Sequence, residues 1–256
     1  MLSVVVLLAA SAFAQDAQLQ IPSFANGPGG RPPSGVVTVK LPDHIEFVVN
    51  GTRIMNRPYS GTETIETTQT LTTGTVTMRR SERVWRDSEG RMRREKPLYA
   101  GWDPPDTPTI VEILDSAAGV YYVYITHAQK KVAYRVAFPA GPLVRNSGPI
   151  LPTPGPGDDG GVVEAIPSRR IEGLETVGRR ETRKTPTNMV WEHWTSMQIW
   201  RYVLFTETSS NLTRVSKLTN VSTQNPPAAL FAPPPDYTVQ DSPSSFTIPF
   251  SWTCID

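Results

Sequence analysis

From Gly61 onward the chain alternates short β-prone runs with turn residues, and no window sustains a helical hydrophobic period. Gly61–Leu71 (GTETIETTQTL) is dominated by threonine, whose branched Cβ favours pleated backbone over helix. Thr72-Thr73-Gly74 turns it into Thr75–Arg86, and Asp87-Ser88-Glu89-Gly90 turns that into Arg91–Lys96. Thr109–Asp115, a Ser116–Gly119 turn, Val120–Thr126 and Lys131–Phe138 continue the series. After a gap come Ser168–Glu172, Leu174–Lys184, Val190–Thr195, Met197–Glu207 and Thr213–Thr223. Turns at roughly 8–12 residue spacing mark an antiparallel meander. The expected fold is mainly β: a strongly curved antiparallel sheet or incomplete β-barrel of about eleven strands, with few short helices.

The flanks divide the 256 residues further. Leu2–Ala10 is wholly apolar and is followed by Ser11-Ala12-Phe13-Ala14. Nine apolar residues fall short of the about 20 that span a bilayer, and a short apolar run ending in Ala-x-Ala is the pattern of a secretory signal peptide. Residues 1–14 are therefore expected to be a signal peptide, although no Lys or Arg precedes the apolar run. Residues 15–34, rich in Pro, Gly, Ala and Gln, read as a mobile leader with little apolar surface to offset the entropy of ordering. A single β domain is expected over 35–239, opening with short strands at Val36–Leu41 and Ile45–Val49. It is interrupted by a long Pro/Gly loop at 139–161, and 240–256 reads as a loosely attached tail. Leu230-Phe-Ala-Pro-Pro-Pro-Asp-Tyr237 cannot be a central strand, because proline lacks the ladder N–H; it reads as an extended segment pinned by Phe231 and Tyr237.

Composition excludes several function classes. With 25 Lys+Arg against 24 Asp+Glu, the chain has no nucleic-acid footprint. One cysteine excludes an internal disulfide framework and any multi-cysteine metal site, and the three histidines are too dispersed for a local metal motif. No metal, cofactor or transmembrane segment is expected. Motifs for a nucleophile elbow, a zinc protease, a phosphate loop or a dinucleotide site are lacking, so no catalytic residue is assigned. Glu192 and His193 are adjacent on a strand and point to opposite faces, which prevents them from working as a pair. An enzyme would need Glu192 or Asp115 brought beside His127 or His193. The eight basic residues within Arg79–Lys96 are interspersed with Glu82, Asp87, Glu89 and Glu95. That pattern reads as a self-paired hairpin face guarding an edge strand. Cys254 has no second cysteine to pair with, and in an oxidising compartment a fraction of Cys254-linked dimer is expected.

The aromatic residues are the most informative about binding. Tyr122 and Tyr124 share one face of their strand, with Tyr121, Val123 and Ile125 on the other. Tyr134 and Phe138 share a face of the next strand, and Trp191 and Trp194 fall on opposite faces of theirs. Trp200, Tyr202 and Leu204 alternate with Met197, Ile199, Val203 and Phe205. A strand apolar on both sides is covered on both sides, and this chain has little helix to do the covering. Two readings stay open: an ordinary filled sandwich core, or a curled sheet whose concave side holds a hydrophobic ligand. On the second reading the candidate ligand-binding residues are Tyr122, Tyr124, Tyr134, Phe138, Trp194, Trp200 and Phe205.

Val84-Trp-Arg-Asp-Ser-Glu-Gly-Arg-Met-Arg-Arg-Glu95, Ile113-Leu-Asp-Ser-Ala-Ala-Gly-Val-Tyr-Tyr-Val123 and Arg170-Ile-Glu-Gly173 resemble a group of exported proteins common in acidobacterial-type soil bacteria. Glu192-His-Trp-Thr-Ser196 and Leu230–Tyr237 extend that resemblance, which runs over roughly Gly61–Val239. The strand order, with its late Phe-x-x-Pro-x-x-Tyr segment, is in turn similar to the periplasmic lipoprotein-carrier superfamily. That similarity implies an incomplete barrel, lidded by helices, that holds acyl chains; convincing amphipathic lid helices are lacking here. The resulting expectation is a non-catalytic envelope protein, periplasmic or extracellular, binding a lipid or lipidated partner on the concave face of its sheet. The alternative is a protein–protein interaction or scaffold module whose open sheet edges accept a partner strand.

Overall fold

The computed structural model describes residues 35–40, 54–97, 108–126, 128, 130–137, 155–156, 161–183, 188–242 and 245–250. Its strands in chain order are β1 (Gly35–Lys40), β2 (Tyr59–Leu71), β3 (Gly74–Arg86), β4 (Met92–Pro97), β5 (Thr109–Asp115), β6 (Val120–Ile125), β7 (Val132–Ala137) and β8 (Gly155–Pro156). They continue with β9 (Val162–Ile171), β10 (Leu174–Arg183), β11 (Met189–Ser196), β12 (Arg201–Thr208), β13 (Leu212–Ser222), β14 (Thr238–Asp241) and β15 (Ser245–Phe250). One short 3-10 turn, Ala228–Phe231, stands between β13 and β14. β1 and β15 form an antiparallel ribbon with Gly35 opposite Phe250. The other thirteen strands form one open, curved sheet in the order β14-β7-β6-β5-β4-β3-β2-β13-β12-β11-β10-β9-β8.

The fold is mainly β, curved and not closed into a barrel, as the turn rhythm implies. One departure is informative. β14 runs parallel to β7, with Thr238 opposite Val132, so the sheet is mixed. Parallel neighbours cannot be joined by a tight hairpin, and here the chain reaches β7 by crossing a face of the sheet through the proline-rich segment that follows β13. A second departure concerns the basic hairpin. β4 lies beside β3 only from Arg83 to Arg86, so the charges from Arg83 to Lys96 stand inside the sheet. Residues 74–82, with Arg79, Arg80 and Glu82, have β2 as their one neighbour among the described residues and form an edge. The hairpin's self-pairing is present: Arg83 pairs with Glu95, Arg94 lies 3.7 Å from Glu82, and Arg91 lies 2.6 Å from Asp87. The signal peptide, the leader, Ile45–Val49, His127, Phe138, most of the 139–161 loop and Cys254 lie outside the described residues. Thr238–Asp241 and Ser245–Phe250, at and within the stretch read as a tail, are β14 and β15.

Local chemistry sets the hairpins. β2 and β3 stay in register from Tyr59 opposite Arg86 to Leu71 opposite Gly74, where φ of 137° is available only to glycine. The Asp87 carboxylate closes the next turn by accepting from the backbone N–H groups of Glu89 and Arg91 and from Arg91 Nε.

Cross-strand register divides the sheet into two faces. Tyr59, Val84, Val203 and Leu218 share one face and pack with Ile199 and Leu174. Arg86 on β3 donates to the carbonyl of Ile199, in the turn between β11 and β12. In a flat sheet β3 and β12 would stand about 14 Å apart, three strand spacings, farther than one arginine side chain reaches. The sheet therefore curls toward this face, here termed the inner face. On the outer face, Val111, Ile113, Tyr124 and Ala133 are covered by Phe231, with Leu230 and Tyr237 beside it. The Tyr237 hydroxyl donates to Ile125 O at 3.1 Å, and Arg93 donates to Leu230 O at 2.8 Å. Phe231 and Tyr237 thus pin the segment, and its prolines run where no ladder N–H is required.

Candidate functional site

Two groups of side chains occupy the inner face. The first is a row of charges across β12, β2, β3, β4 and β5. Glu63 and Glu82 stand directly opposite each other on β2 and β3, an arrangement that repels unless cations intervene. Arg201 supplies one cation: it pairs with Glu63 and donates to the Tyr59 hydroxyl at 2.9 Å. Ser216 also donates to Glu63, at 2.8 Å. Burial pushes Glu63 up, but Arg201, Arg94 and the Ser216 hydroxyl outweigh it and leave the carboxyl below its ordinary value. Arg94 sits beside Glu82, which raises its pKa further. Farther along, Glu112 accepts from Tyr121 at 2.6 Å and pairs with Lys96 at 3.0 Å. Burial opposes its ionisation, yet Lys96, Arg94 and Tyr121 bring Glu112 down to about 2. Three carboxylates and three cations pair with one another here and brace the sheet, while Arg86, buried beside them, donates to the carbonyls of Arg57 and Ile199.

The second group lies on β10, β11 and β12. Trp191, His193 and Thr195 alternate along β11 and so share the inner face, with Phe205 directly opposite His193. A bulge follows: the register shifts between Trp194 and Thr195, so that Thr195 pairs with Tyr202. Simple alternation puts Tyr202 and Phe205 on opposite faces; the bulge re-aims Tyr202 onto the Phe205 side. Its ring lies 4.9 Å from that of His193 and 6.2 Å from that of Phe205. Trp191, Tyr202 and Phe205 remain half-buried while His193 and Thr195 beneath them are buried. Burial, aided by Arg179 on β10, pulls the His193 imidazole down to about 4. The site therefore presents a neutral imidazole and a hydroxyl within an aromatic wall.

The sequence-predicted residues do not gather on one face. Phe205 and Tyr134 lie on the inner face, at opposite ends of the sheet. Tyr122 and Tyr124 lie on the outer face, where Phe231 and Tyr237 pack against their cluster. Trp194 also faces outward. It packs over Gly178, where an added Cβ would meet its Nε1 at 2.9 Å, carries the Arg169 guanidinium 3.9 Å from its ring centroid, and donates to Pro167 O. Trp200 ends the β11–β12 turn with φ of 48°, under Arg57. Trp191, Tyr202, His193 and Thr195 are the inner-face residues that sequence reasoning passed over. The alternation Trp191-x-His193-x-Thr195 was a usable signal, whereas the bulge that delivers Tyr202 was not.

Glu192 points outward and accepts from Arg180 at 2.7 Å, away from His193. Asp115 caps its own turn through the N–H groups of Ala117 and Ala118. Among the described residues, no three His, Cys, Asp or Glu side chains gather to hold a metal ion, and no helix is long and apolar enough to cross a membrane.

Fold and site together define a class: an open, curved, mixed β-sheet with a partly uncovered aromatic wall on its inner face. No protein-family model and no curated protein sequence matches the chain. Among solved structures it is similar to an uncharacterized conserved protein from Thermus thermophilus, at 12% identity over 73% of this chain and 91% of that one, with a TM-score of 0.41. It is similar to MucB at 13% identity over 76% of this chain and 62% of that one, with a TM-score of 0.37. It is also similar to a LolA-superfamily protein from Nitrosomonas europaea at 8% identity, 72% and 94% coverage and a TM-score of 0.29.

Proposed function

We propose that the protein is an exported, non-catalytic binding protein of the cell envelope that holds a lipid, or the acyl part of a lipidated partner, against the inner face of its sheet. The observation that carries this reading is the half-buried cluster of Trp191, Tyr202 and Phe205 on the side toward which the sheet curls. Large rings left partly uncovered in a concavity, with a few polar groups among them, are the usual lining of an apolar ligand site. Export rests on the apolar run and Ala-x-Ala pattern of residues 1–14. Lipid extraction and mass spectrometry of the protein purified from its host tests the reading. A stoichiometric lipid supports it, and its absence together with failure to bind any apolar probe overturns it.

A second reading has its own observation. β14 is exposed at all four positions and ends the sheet, which suits a module that pairs with a partner strand. Pull-down from envelope extracts separates the two: a stoichiometric protein partner without bound lipid favours the scaffold.

A further inference from the structure

Besides Tyr124 Oη on the outer face, His193 Nε2 and Thr195 Oγ1 on the inner face are buried and have no hydrogen-bond partner in the structure. Their residues are 4% and 0% exposed. Two positions apart on β11, both side chains project to the inner face, beneath the half-buried rings of Tyr202 and Phe205. Buried polar atoms are nearly always satisfied, and two orphans on one face of one strand mark a place where a hydrogen-bonding group from outside the chain belongs. We propose that His193 and Thr195 anchor the polar head of an amphiphile, and that this head is uncharged: a hydroxyl with an ester or amide carbonyl, rather than a carboxylate or phosphate. The inference rests on the ligand-binding reading above and specifies its substrate class.

The chemistry of the wall carries the choice. A neutral imidazole and a hydroxyl can each donate or accept, which matches a head bearing both kinds of group. The charges around them are of both signs. From β10, Arg179 lies opposite His193, and Glu181 lies opposite Trp191 and binds Arg183 at 2.8 Å. From β12, Glu207 lies opposite Trp191 on one side and Arg214 of β13 on the other. Arg179 already donates to Gly178 O at 2.9 Å. An anionic head would lose its water in this partly dehydrated spot, which is costly, while Arg179 and Arg183 are already engaged with Gly178 O and Glu181. Arg179 is the group that would reverse the preference, so a fatty acid is the discriminating probe.

The test titrates the delipidated full chain at pH 7 with 1-monooleoylglycerol, oleic acid and the apolar dye diphenylhexatriene, followed by tryptophan fluorescence. Monooleoylglycerol is expected to bind at least about tenfold tighter than oleate. Thr195→Val keeps the side-chain shape and should weaken monooleoylglycerol about fivefold, the scale of one lost hydrogen bond, while changing dye binding less than twofold. Imidazole ¹⁵N shifts of His193 should move on adding monooleoylglycerol. Equal binding of oleate, or an unchanged affinity in Thr195→Val, overturns the anchor and leaves the apolar site standing. If neither monooleoylglycerol nor the dye binds, the proposed function fails and the anchor fails with it. His193→Phe adds a second measurement where it folds; Thr195→Val decides the matter alone.

Discussion

On β6 the outer-face ring of Tyr124 is 1% exposed, closed in by Phe231 and Tyr237, whereas on β12 the inner-face rings of Tyr202 and Phe205 stay half-buried. Both regions are aromatic strands of one sheet. What separates them is what the chain lays across them. Over β5, β6 and β7 it lays its own proline-rich segment, and the result is core. Over β10, β11 and β12 the aromatic wall is only partly covered. An aromatic strand pattern therefore announces burial against something, and only the covering element tells whether that something is the protein itself.

The largest effect should come from removing the cover. Phe231→Ala leaves a cavity over Val111, Ile113 and Tyr124 and should cost about 4 kcal/mol in urea denaturation. Phe205→Ala, on the half-buried wall, should cost about half as much while abolishing ligand binding. Equal losses would erase the distinction between the two regions. Next comes the inner-face charge row. Arg201→Met strands Glu63 without its main cation and should cost about 3 kcal/mol, a penalty that shrinks when Glu63→Gln is added.

The acid response should sort the groups by pH. His193 is held near 4 in the fold against 6.5 when free, so the folded state refuses a proton that the unfolded chain accepts. Stability is unaffected by this group above about pH 6.5 and falls by about 3 kcal/mol in total as pH drops to about 4. Glu112, held near 2, adds its own loss only as pH falls from 4.5 toward 2. Denaturation curves of His193→Gln should lack the upper window and keep the lower one. The smallest effect is expected at the sheet edge. Arg135→Ala breaks an exposed pair with Asp241 and should leave the melting temperature within error. A clear drop would mean that β14 is held by more than its backbone.

Strand positions were legible because their signals are local. The threonine run of Gly61–Leu71 became β2, Val120–Thr126 became β6, and the Asp87 and Asp115 turns sit where their side chains can cap the backbone. Alternation also placed Tyr122 with Tyr124 and opposed both to Tyr121. It could not say which face curls inward, because that depends on which distant segments meet. Tyr124 and Trp194 read as candidates for the concavity and stand on the outer face for this reason. The parallel pairing of β14 was equally invisible, since no turn joins it to β7. The bulge at Thr195 broke the simple period that had set Tyr202 apart from Phe205.

The crossing segment has a consequence for the order in which the protein can be made. β2 to β7 follow one another in the sheet as they do in the chain, so they can pair as they leave the ribosome. Their outer face must wait. Arg135 and Asp241, which meet at the β7–β14 edge, are 106 positions apart, and closing such a long loop is a late event in folding. Throughout that interval Val111, Ile113, Tyr124 and Ala133 present an apolar surface with nothing over it, the kind of transient species that chaperones bind and that aggregates when they are absent. Chain released about a hundred residues later finishes the first half of the sheet.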